Sequence, residues 1–390
     1  MSTFIVFILI LGLLVLVHEL GHFLVAKKNG VISDEFGFGF PPRVVGTYKD
    51  KKGRRKWVFG NKEINNEMKD EDETVYSFNL IPLGGFVKIR GEDGEDKKDK
   101  KSFANQSAWV RFKILFAGVL MNFLLGIVLF SLAFQIGLPE SIGDDYQAKD
   151  AKVQIAQVVS NSPADEMGIE MGDVVFSIEG TEGITEIKTV KAFQEAIQSN
   201  KGQEVTINVK RNNSEKLLSL DTVIREEAPE EQGLLGVQLV RTTFAKYGLL
   251  ESIWLAIKTS FSMILAILFF LVDLIVRIFS SQPVTADVAG PVGIAVMTGK
   301  MTQLGLAYVL QFVALLSINL GVINLLPFPA LDGGRIFFLL IEKIKGSPLN
   351  QKVEGIANMI GFLLLIALMI FVTVKDFSNF GIMDKIKSIL

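Results

Sequence analysis

The only two histidines of this 390-residue chain lie inside a long apolar segment, Phe4–Ala26, in the motif H-E-L-G-H from His18 to His22. The segment is long enough to cross a bilayer as a helix. Positions i and i+4 of a helix share one face, so both imidazoles can reach one metal ion. Glu19 is then placed to act as a general base toward a water molecule at that metal. Ionisable side chains within hydrocarbon are costly and usually functional, so we expect a chemical site here rather than two histidines that merely satisfy a helical core.

The amino-acid composition limits which residue type can be the third metal ligand. Catalytic zinc usually takes three protein ligands and a water molecule. The chain has no third histidine and no cysteine, so the third ligand must be a carboxylate. Two acidic residues lie in or at the edge of later apolar segments, Asp273 and Asp332. The choice between them depends on how many segments cross the membrane.

The composition indicates a membrane protein. With 49% hydrophobic residues and a mean hydropathy of +0.39, the chain is too apolar for an ordinary soluble protein. Its net charge of −2 gives no indication of nucleic-acid binding. Segments of about 20 apolar residues cross the hydrocarbon layer, and four are predicted to do so: Phe4–Ala26, Ile114–Leu138, Leu304–Leu326 and Ile356–Val374.

A fifth apolar stretch, Leu249–Ile278, carries a polar stripe that is typical of an amphipathic helix at the membrane interface. The position of Asp332 supports this interpretation. If the first helix runs from outside to inside, His18 and His22 lie toward its cytoplasmic half. Four spans bring Asp332, at the end of the third, to the same depth, whereas five would place it at the opposite face. We therefore predict four spans, with Asp332 rather than Asp273 as the third ligand.

Charge distribution predicts the orientation. The loop Lys27–Ser107 is denser in Lys and Arg than the acid-rich region Gln135–Tyr247, so the positive-inside rule places the first in the cytoplasm and the second outside. The N-terminal apolar run lacks a basic leader and a small-residue cleavage site. It is predicted to be a retained membrane helix.

Residues 150–226 are predicted to form a soluble α/β domain. Alternating apolar runs predict strands at Val153–Val159, Val174–Ile178 and Val205–Val209, and a helix at Val190–Ile197. The stretch Val159–Asp173, with its Pro and two Gly residues, resembles the hallmark of PDZ domains, whose strand edge can be extended by a peptide. Peptide termini are therefore candidate partners. Alternatively, these residues only shape turns.

An irregular segment follows the third span. From Asn324 to Gly334 the sequence reads N-L-L-P-F-P-A-L-D-G-G, and its prolines and glycines end the helix. Irregular backbone at membrane depth is tolerated only where it lines a cavity, which is where a ligating carboxylate and a water path are expected. The alternative is an ordinary helix end with Asp332 as an exposed cap.

Together these motifs resemble the site-2 protease family of intramembrane zinc metalloproteases, in its RseP-like bacterial branch with a single PDZ domain. The resemblance covers essentially the whole chain. It implies that His18, His22 and Asp332 bind one Zn²⁺, that Glu19 is the catalytic base and that Asn324 holds the substrate backbone.

The resemblance also implies a membrane α-helical fold: four transmembrane helices, a membrane-associated amphipathic helix, an inserted PDZ-like α/β domain and a membrane-reentrant β region. The expected divisions are residues 1–138, the PDZ domain at 150–226, and residues 227–390. The β region is expected near Phe36–Phe40 and Phe78–Arg90. In the second span, position 119 of the segment Gly118–Asn122 is valine where many members have proline, a change expected to lie far from the metal.

The implied function is zinc-dependent cleavage of single-pass membrane proteins or signal-peptide remnants, within or near their transmembrane segment. This is regulated intramembrane proteolysis in the bacterial inner membrane, with the PDZ domain outside and the metal site toward the cytoplasm. The alternative is a catalytically silent membrane scaffold whose PDZ-like domain gathers partners. A scaffold has no reason to keep His, Glu and Asp in lipid.

Overall fold

The computed structural model describes residues 2–62, 64, 69–70, 72–94, 98–148, 150–181, 183–211, 216–229, 232–280, 289–347 and 349–379. Internal contacts divide the chain into two units. The helical unit comprises Met1–Ser131, Ile253–Gly299 and Leu310–Leu390. The sheet unit comprises Leu132–Ser252 and Lys300–Val309.

Among the described residues, the two units together contain nine α-helices and ten strands. The helices of the described residues are α1 (Ser2–Lys28), α2 (Ala108–Ile136), α3 (Pro163–Glu166), α4 (Val190–Ser199), α5 (Leu249–Phe279), α6 (Pro291–Leu304), α7 (Leu306–Leu325), α8 (Asp332–Lys345) and α9 (Gln351–Asn379). The strands are β1 (Ser33–Lys49), β2 (Arg55–Phe59), β3 (Val75–Ile89), β4 (Leu138–Ser141), β5 (Lys152–Val158), β6 (Val174–Gly180), β7 (Gly183–Glu186), β8 (Glu204–Lys210), β9 (Leu217–Val223) and β10 (Val237–Ala245).

Among the described residues, five helices are long and apolar enough to cross a membrane. Four of them, α1, α2, α7 and α9, coincide with the predicted spans. The fifth is α5, which was predicted to lie at the interface. It buries a narrow stripe of small side chains, Ser252, Ala256 and Ser260, and exposes large apolar ones over most of its length. Length and apolarity do not separate α5 from the other four helices, so the count of four spans stays a prediction.

Helices α1 and α2 run antiparallel. His22, near the end of α1, lies against Ile114 at the beginning of α2, and His18 lies one turn earlier against Asn122. Gly21 permits this close approach, because a Cβ at that position would lie 2.4 Å from the Ala117 carbonyl oxygen.

Helix α7 is also antiparallel to α2. The ring of Phe123 packs on Gly321, and Gly126 packs nearer the start of α7, beside Ile318 and the carbonyl of Ala314. The Ser317 hydroxyl reinforces this contact by donating to a backbone carbonyl of α2. Since α1 and α7 both oppose α2, they run in the same direction.

A three-stranded antiparallel sheet, ordered β2-β1-β3, packs against α1. Its two long strands are irregular in register, and Phe36 pairs with both Val87 and Tyr76, so the sheet curls on itself. The middle of β3 reaches the middle of α1, where Gly84 packs on Val15. A β region is therefore present where it was predicted; its re-entry into the membrane stays a prediction.

The sheet unit contains an antiparallel sheet ordered β4-β10-β5-β6-β8-β9, with β7 paired to β6. Strands β5, β6 and β8 and helix α4 form where the apolar alternation predicts them. The sheet extends beyond the predicted boundaries of 150–226, because β4 precedes them and β10 follows them. Strand β10 pairs with β5, which precedes it by about 80 residues in the chain, a non-local pairing that apolar alternation does not reveal.

Arg211 stabilises the turn between β5 and β6, which contains Gly168 and Gly172. Arg211 makes a bidentate ion pair with Asp173 at 2.7 and 2.8 Å and donates to the carbonyl of Gly168 at 2.7 Å. Asp173 is 1% exposed, and its carboxylate also accepts the backbone N–H of Glu170. These bonds fix the turn that resembles the PDZ hallmark.

Candidate active site

Three predicted metal ligands converge at one point of the helical unit. His18 Nε2 and His22 Nε2 lie 3.2 Å apart, and Asp332 Oδ2 lies 2.9 and 3.3 Å from them. Ligand atoms about 2.0 Å from a tetrahedral zinc are about 3.3 Å apart, so this triangle is close to one face of such a tetrahedron. Both imidazoles are buried, 7% and 6% exposed. The donor set and its spacing fit one zinc ion.

The outer nitrogens of the two imidazoles are held by α2. His22 Nδ1 lies 2.8 Å from the Ile114 carbonyl oxygen, so this nitrogen carries the proton and donates it. His18 Nδ1 lies 3.2 Å from the side-chain amide of Asn122, whose oxygen is otherwise buried without a partner. A half-turn of that amide brings the oxygen to His18 Nδ1 and satisfies both groups. Both Nε2 lone pairs then face the cluster, as in metal sites where the outer nitrogen of each ligating imidazole donates a hydrogen bond.

Glycines place Asp332. After α7 ends, the chain folds so tightly that a Cβ on Gly333 would lie 2.3 Å from the carbonyl oxygens of Leu325 and Leu326. Helix α9 closes the turn from the other side, because Gly361 lies directly against the carbonyl of Pro329. The irregular segment is therefore a packed turn that aims Asp332 at the histidines, not an exposed helix cap.

Asp332 presents one carboxylate oxygen, Oδ2, to both imidazoles. Its Oδ2 atom is buried and has no hydrogen-bond partner of good geometry. A carboxylate oxygen without a hydrogen-bond partner, beside two imidazole lone pairs, is suited to a cation.

Glu19 lines a cavity of about 180 Å³ together with His22 and Asp332. The cavity is large enough for several water molecules and is polar enough to hold them. Its far wall contains an ion pair between Arg335, one turn after Asp332, and Glu92, beyond the end of β3. Glu19 therefore lies beside the cluster of predicted metal ligands and also lines a cavity that water can fill.

The structure distinguishes the two candidate carboxylates. Asp273 is exposed on α5 and pairs with Arg277 at 2.6 Å, whereas Asp332 joins the histidines. Asn324 lies half-buried in the last turn of α7, and within the described part of the chain its side chain has no hydrogen bond. It does not line the Glu19 cavity, so its role in holding substrate stays a prediction.

The second span also contributes residues to the site. The valine at position 119 was expected to lie far from the metal, and the contact with the ligands comes from its neighbour: a Cβ on Gly118 would stand 2.4 Å from His22 Nε2 and 2.8 Å from His18 Cε1. Asn122 is fully buried against His18. A polar Asn inside an apolar span was the available signal, but the sequence does not identify its partner.

The sequence profile of peptidase family M50 matches residues 6–60 and 55–368. The chain belongs to peptidase family M50. The M50 profile covers the H-E-L-G-H motif, the curled sheet and the segment that contains Asp332. Membership of the site-2 protease family, predicted from the motifs, is confirmed.

Relatives match over nearly their whole length. A protein of Clostridium perfringens named as a zinc metalloprotease is 34% identical over 363 residues, which cover 93% of this chain and 95% of the relative. Zinc metalloprotease RasP of Shouchella clausii is 30% identical over 460 aligned positions, with coverages of 97% and 99%. The regulator of sigma-W protease RasP of Bacillus subtilis is 28% identical, with coverages of 96% and 98%.

These M50 relatives identify the class of enzyme. The chain is a zinc metalloprotease, and its apolar helices and bacterial relatives make it a multi-pass protein of the bacterial inner membrane. The predicted zinc cofactor is confirmed. A catalytically silent scaffold, the alternative from sequence, has no support among these relatives.

Proposed function

We propose that the chain is an intramembrane endopeptidase that cleaves single-pass membrane proteins, or signal-peptide remnants, within or near their transmembrane segment. The observation that carries this proposal is the cluster of His18, His22 and Asp332, with Glu19 beside it, because both histidines and Glu19 lie within α1, a helix of membrane-spanning length. A peptide bond must enter the membrane layer to reach this cluster. Substrates that already lie in the membrane meet that requirement.

In this proposal, His18, His22 and Asp332 hold the zinc. When bound, zinc polarises the scissile carbonyl and makes water acidic enough to lose a proton near neutral pH. Glu19 accepts that proton and returns it to the leaving amine. The backbone carbonyl of Ile114 keeps the His22 ring in the orientation that this requires.

A helical substrate hides its carbonyls in hydrogen bonds, so it must be unwound locally before cleavage. The curled sheet is in position to assist, because Gly84 and Gly85 of β3 pack on Val15 and Leu16, one turn before the H-E-L-G-H motif. An unwound segment that adds to an edge of this sheet would pass close to Glu19. Asn324 is proposed to bind the backbone of that segment.

We propose four spans, with α5 on the outer surface. The parallel direction of α1 and α7 requires an odd number of crossings between them, and α2 supplies one. If α5 also crossed, a third crossing would be needed before α7. Helix α6, with 14 residues, is about 21 Å long and cannot cross about 30 Å of hydrocarbon.

Cysteine labelling tests this topology without background, since the chain has no cysteine of its own. Single cysteines at Glu251 and Ser280, near the two ends of α5, are expected to react with a membrane-impermeant thiol reagent in intact spheroplasts. A cysteine at Glu186 in the sheet unit should behave likewise, whereas one at Lys51 should react only after permeabilisation. Reaction at Glu251 without permeabilisation, combined with reaction at Ser280 only after it, would show that α5 crosses.

The sheet unit is proposed to be a PDZ domain that binds peptide termini outside the membrane. Strand β10 pairs with β5 along one side, whereas on its other side the strand pairing found in the described part of the chain is confined to residues 242–245, with β4. Helix α4 packs near the open stretch, and Arg241 of β10 donates to the carbonyl of Lys188 just before that helix. A peptide strand could add at this open edge, which fluorescence anisotropy with labelled peptides would measure.

Reconstitution tests the proteolytic function. In proteoliposomes that contain the purified chain and a single-pass reporter, we expect fragments whose new termini lie within or beside the transmembrane segment. Phenanthroline should stop cleavage by removing zinc, and added Zn²⁺ should restore it. Intact reporter in every sample that contains zinc-loaded protein would contradict the proposal, and mass spectrometry of the fragments locates the cut.

A further inference from the structure

A basic hairpin leaves the curled sheet and has no role in the chemistry described above. It comprises residues 45–59, that is, the end of β1, a tight turn and the edge strand β2. Six of the eight residues from 49 to 56 are Lys or Arg, and the single acid among them is Asp50. Asp50 forms an ion pair with Arg54 at 3.0 Å, and Lys49 forms one with Glu73 at 3.9 Å.

The other four basic side chains of the hairpin are exposed, and no carboxylate of the described residues forms an ion pair with them. They are Lys51, Lys52, Arg55 and Lys56. Charges on an edge strand commonly serve to prevent pairing with other sheets. That role explains the lysines but not the neighbouring aromatic residues.

Strand β2 exposes two large aromatic side chains on the same face as Arg55. Trp57 is 64% exposed and Phe59 67%, whereas Val58, which points the other way, is 8% exposed and packs beside Gly46. Aromatic rings next to Lys and Arg are typical of the headgroup level of a membrane, where the rings take the apolar side and the cations the phosphates.

The depth of the hairpin along α1 agrees with this chemistry. At the base of the hairpin, Val45 pairs with Phe59 and with Phe78 of β3. The ring of Phe78 stacks on Phe38, and Phe38 contacts Gly12 in the middle of α1. The base of the hairpin therefore lies level with the middle of α1.

Toward its tip, the hairpin approaches the end of α1. Lys49 pairs with Arg55, and both line a cavity that also contains Phe23 and Lys27 of the last turns of α1. The basic turn therefore lies at the level where α1 leaves the hydrocarbon.

We propose that the basic hairpin binds anionic phospholipid in the leaflet at which α1 ends. Lys51, Lys52, Arg55 and Lys56 contact the phosphates, and Trp57 and Phe59 lie between the headgroups and the acyl chains. Anionic lipid is the complementary occupant because the uncompensated charge is positive and lies at the bilayer surface, where such segments are attracted. This inference rests on α1 crossing a bilayer and is independent of the proteolytic reaction.

Tryptophan fluorescence tests the proposal on the full chain. The three tryptophans are Trp57, Trp109 and Trp254, so Trp109→Phe with Trp254→Phe leaves Trp57 as the only emitter. In nanodiscs with phosphatidylglycerol, its emission is expected at shorter wavelength than in pure phosphatidylcholine, and brominated acyl chains should quench it more strongly. Replacing the four exposed basic residues with Gln, or adding salt, should reduce the quenching to the level found in neutral nanodiscs.

A chain that keeps only Trp109 is the matched control. Trp109 is similarly exposed, at 66%, at the start of α2, outside the basic hairpin. Its quenching should not respond to the four Gln substitutions, and unchanged zinc content would show that those variants fold. The proposal is overturned if Trp57 emits as in water in every lipid, or if its quenching is the same with and without anionic lipid. Shielding of Trp57 only after RNA or a soluble protein is added would assign the surface to that partner instead.

Discussion

Glu19→Gln is expected to retain one zinc ion per chain and to reduce peptide-bond hydrolysis by about 10²–10⁴-fold, the contribution typical of a general acid–base residue. The glutamine amide has nearly the size and polarity of the carboxylate, so the cavity beside His22 and Asp332 should keep its shape. The amide cannot accept a proton from the attacking water. Metal analysis and single-pass reporter cleavage, on the same preparation, measure the two properties separately.

Glu92→Gln provides the control for charge. Glu92 lines the same cavity, but it pairs with Arg335 and does not belong to the ligand cluster. Its neutralisation should leave far more activity than neutralisation of Glu19. Equal losses in the two variants would mean that the charge of the cavity matters and that Glu19 is not the base. Full activity in Glu19→Gln would refute the proposed role directly.

The H-E-L-G-H motif could be interpreted from the sequence because its geometry is local. The helical period places His18 and His22 on one face of the helix. Because the chain has no other histidine and no cysteine, only a carboxylate can be the third metal ligand. Asp332 was predicted as that carboxylate because, with four spans, it reaches the same depth in the membrane as His18 and His22. The structure then brings all three ligand atoms within hydrogen-bonding distance of one another.

Contacts between distant segments were not predictable in the same way. Gly118 and Asn122 touch the histidines only because α2 packs against α1, about 100 residues away in the chain. Strand β10 was missed because its pairing with β5 is non-local. Helix α5 shows a different limit, since an apolar helix of 31 residues has the same composition whether it crosses a membrane or lies along it.

Asp332→Ala is expected to lose zinc, and with it all peptide-bond hydrolysis, whereas Asp273→Ala should keep both. The first substitution removes the carboxylate that, within the described residues, joins His18 and His22, and leaves their two Nε2 atoms 3.2 Å apart without an anionic partner. Two ligands without a negative charge hold zinc far less tightly than three. The second substitution breaks only an exposed ion pair with Arg277, which contributes little to stability.

Zinc content per chain, measured after purification in detergent without chelators, distinguishes the two variants. Bound zinc at the wild-type level in Asp332→Ala would mean that another group is the third ligand. It would also remove the argument for four spans from the shared depth of Asp332 and the histidines, and leave the parallel direction of α1 and α7 as its support. Loss of zinc from Asp332→Ala alone would instead link the end of α7 to the H-E-L-G-H helix in one metal site. Since α1 and α7 run in the same direction, that result would also favour placing α5 along the membrane surface.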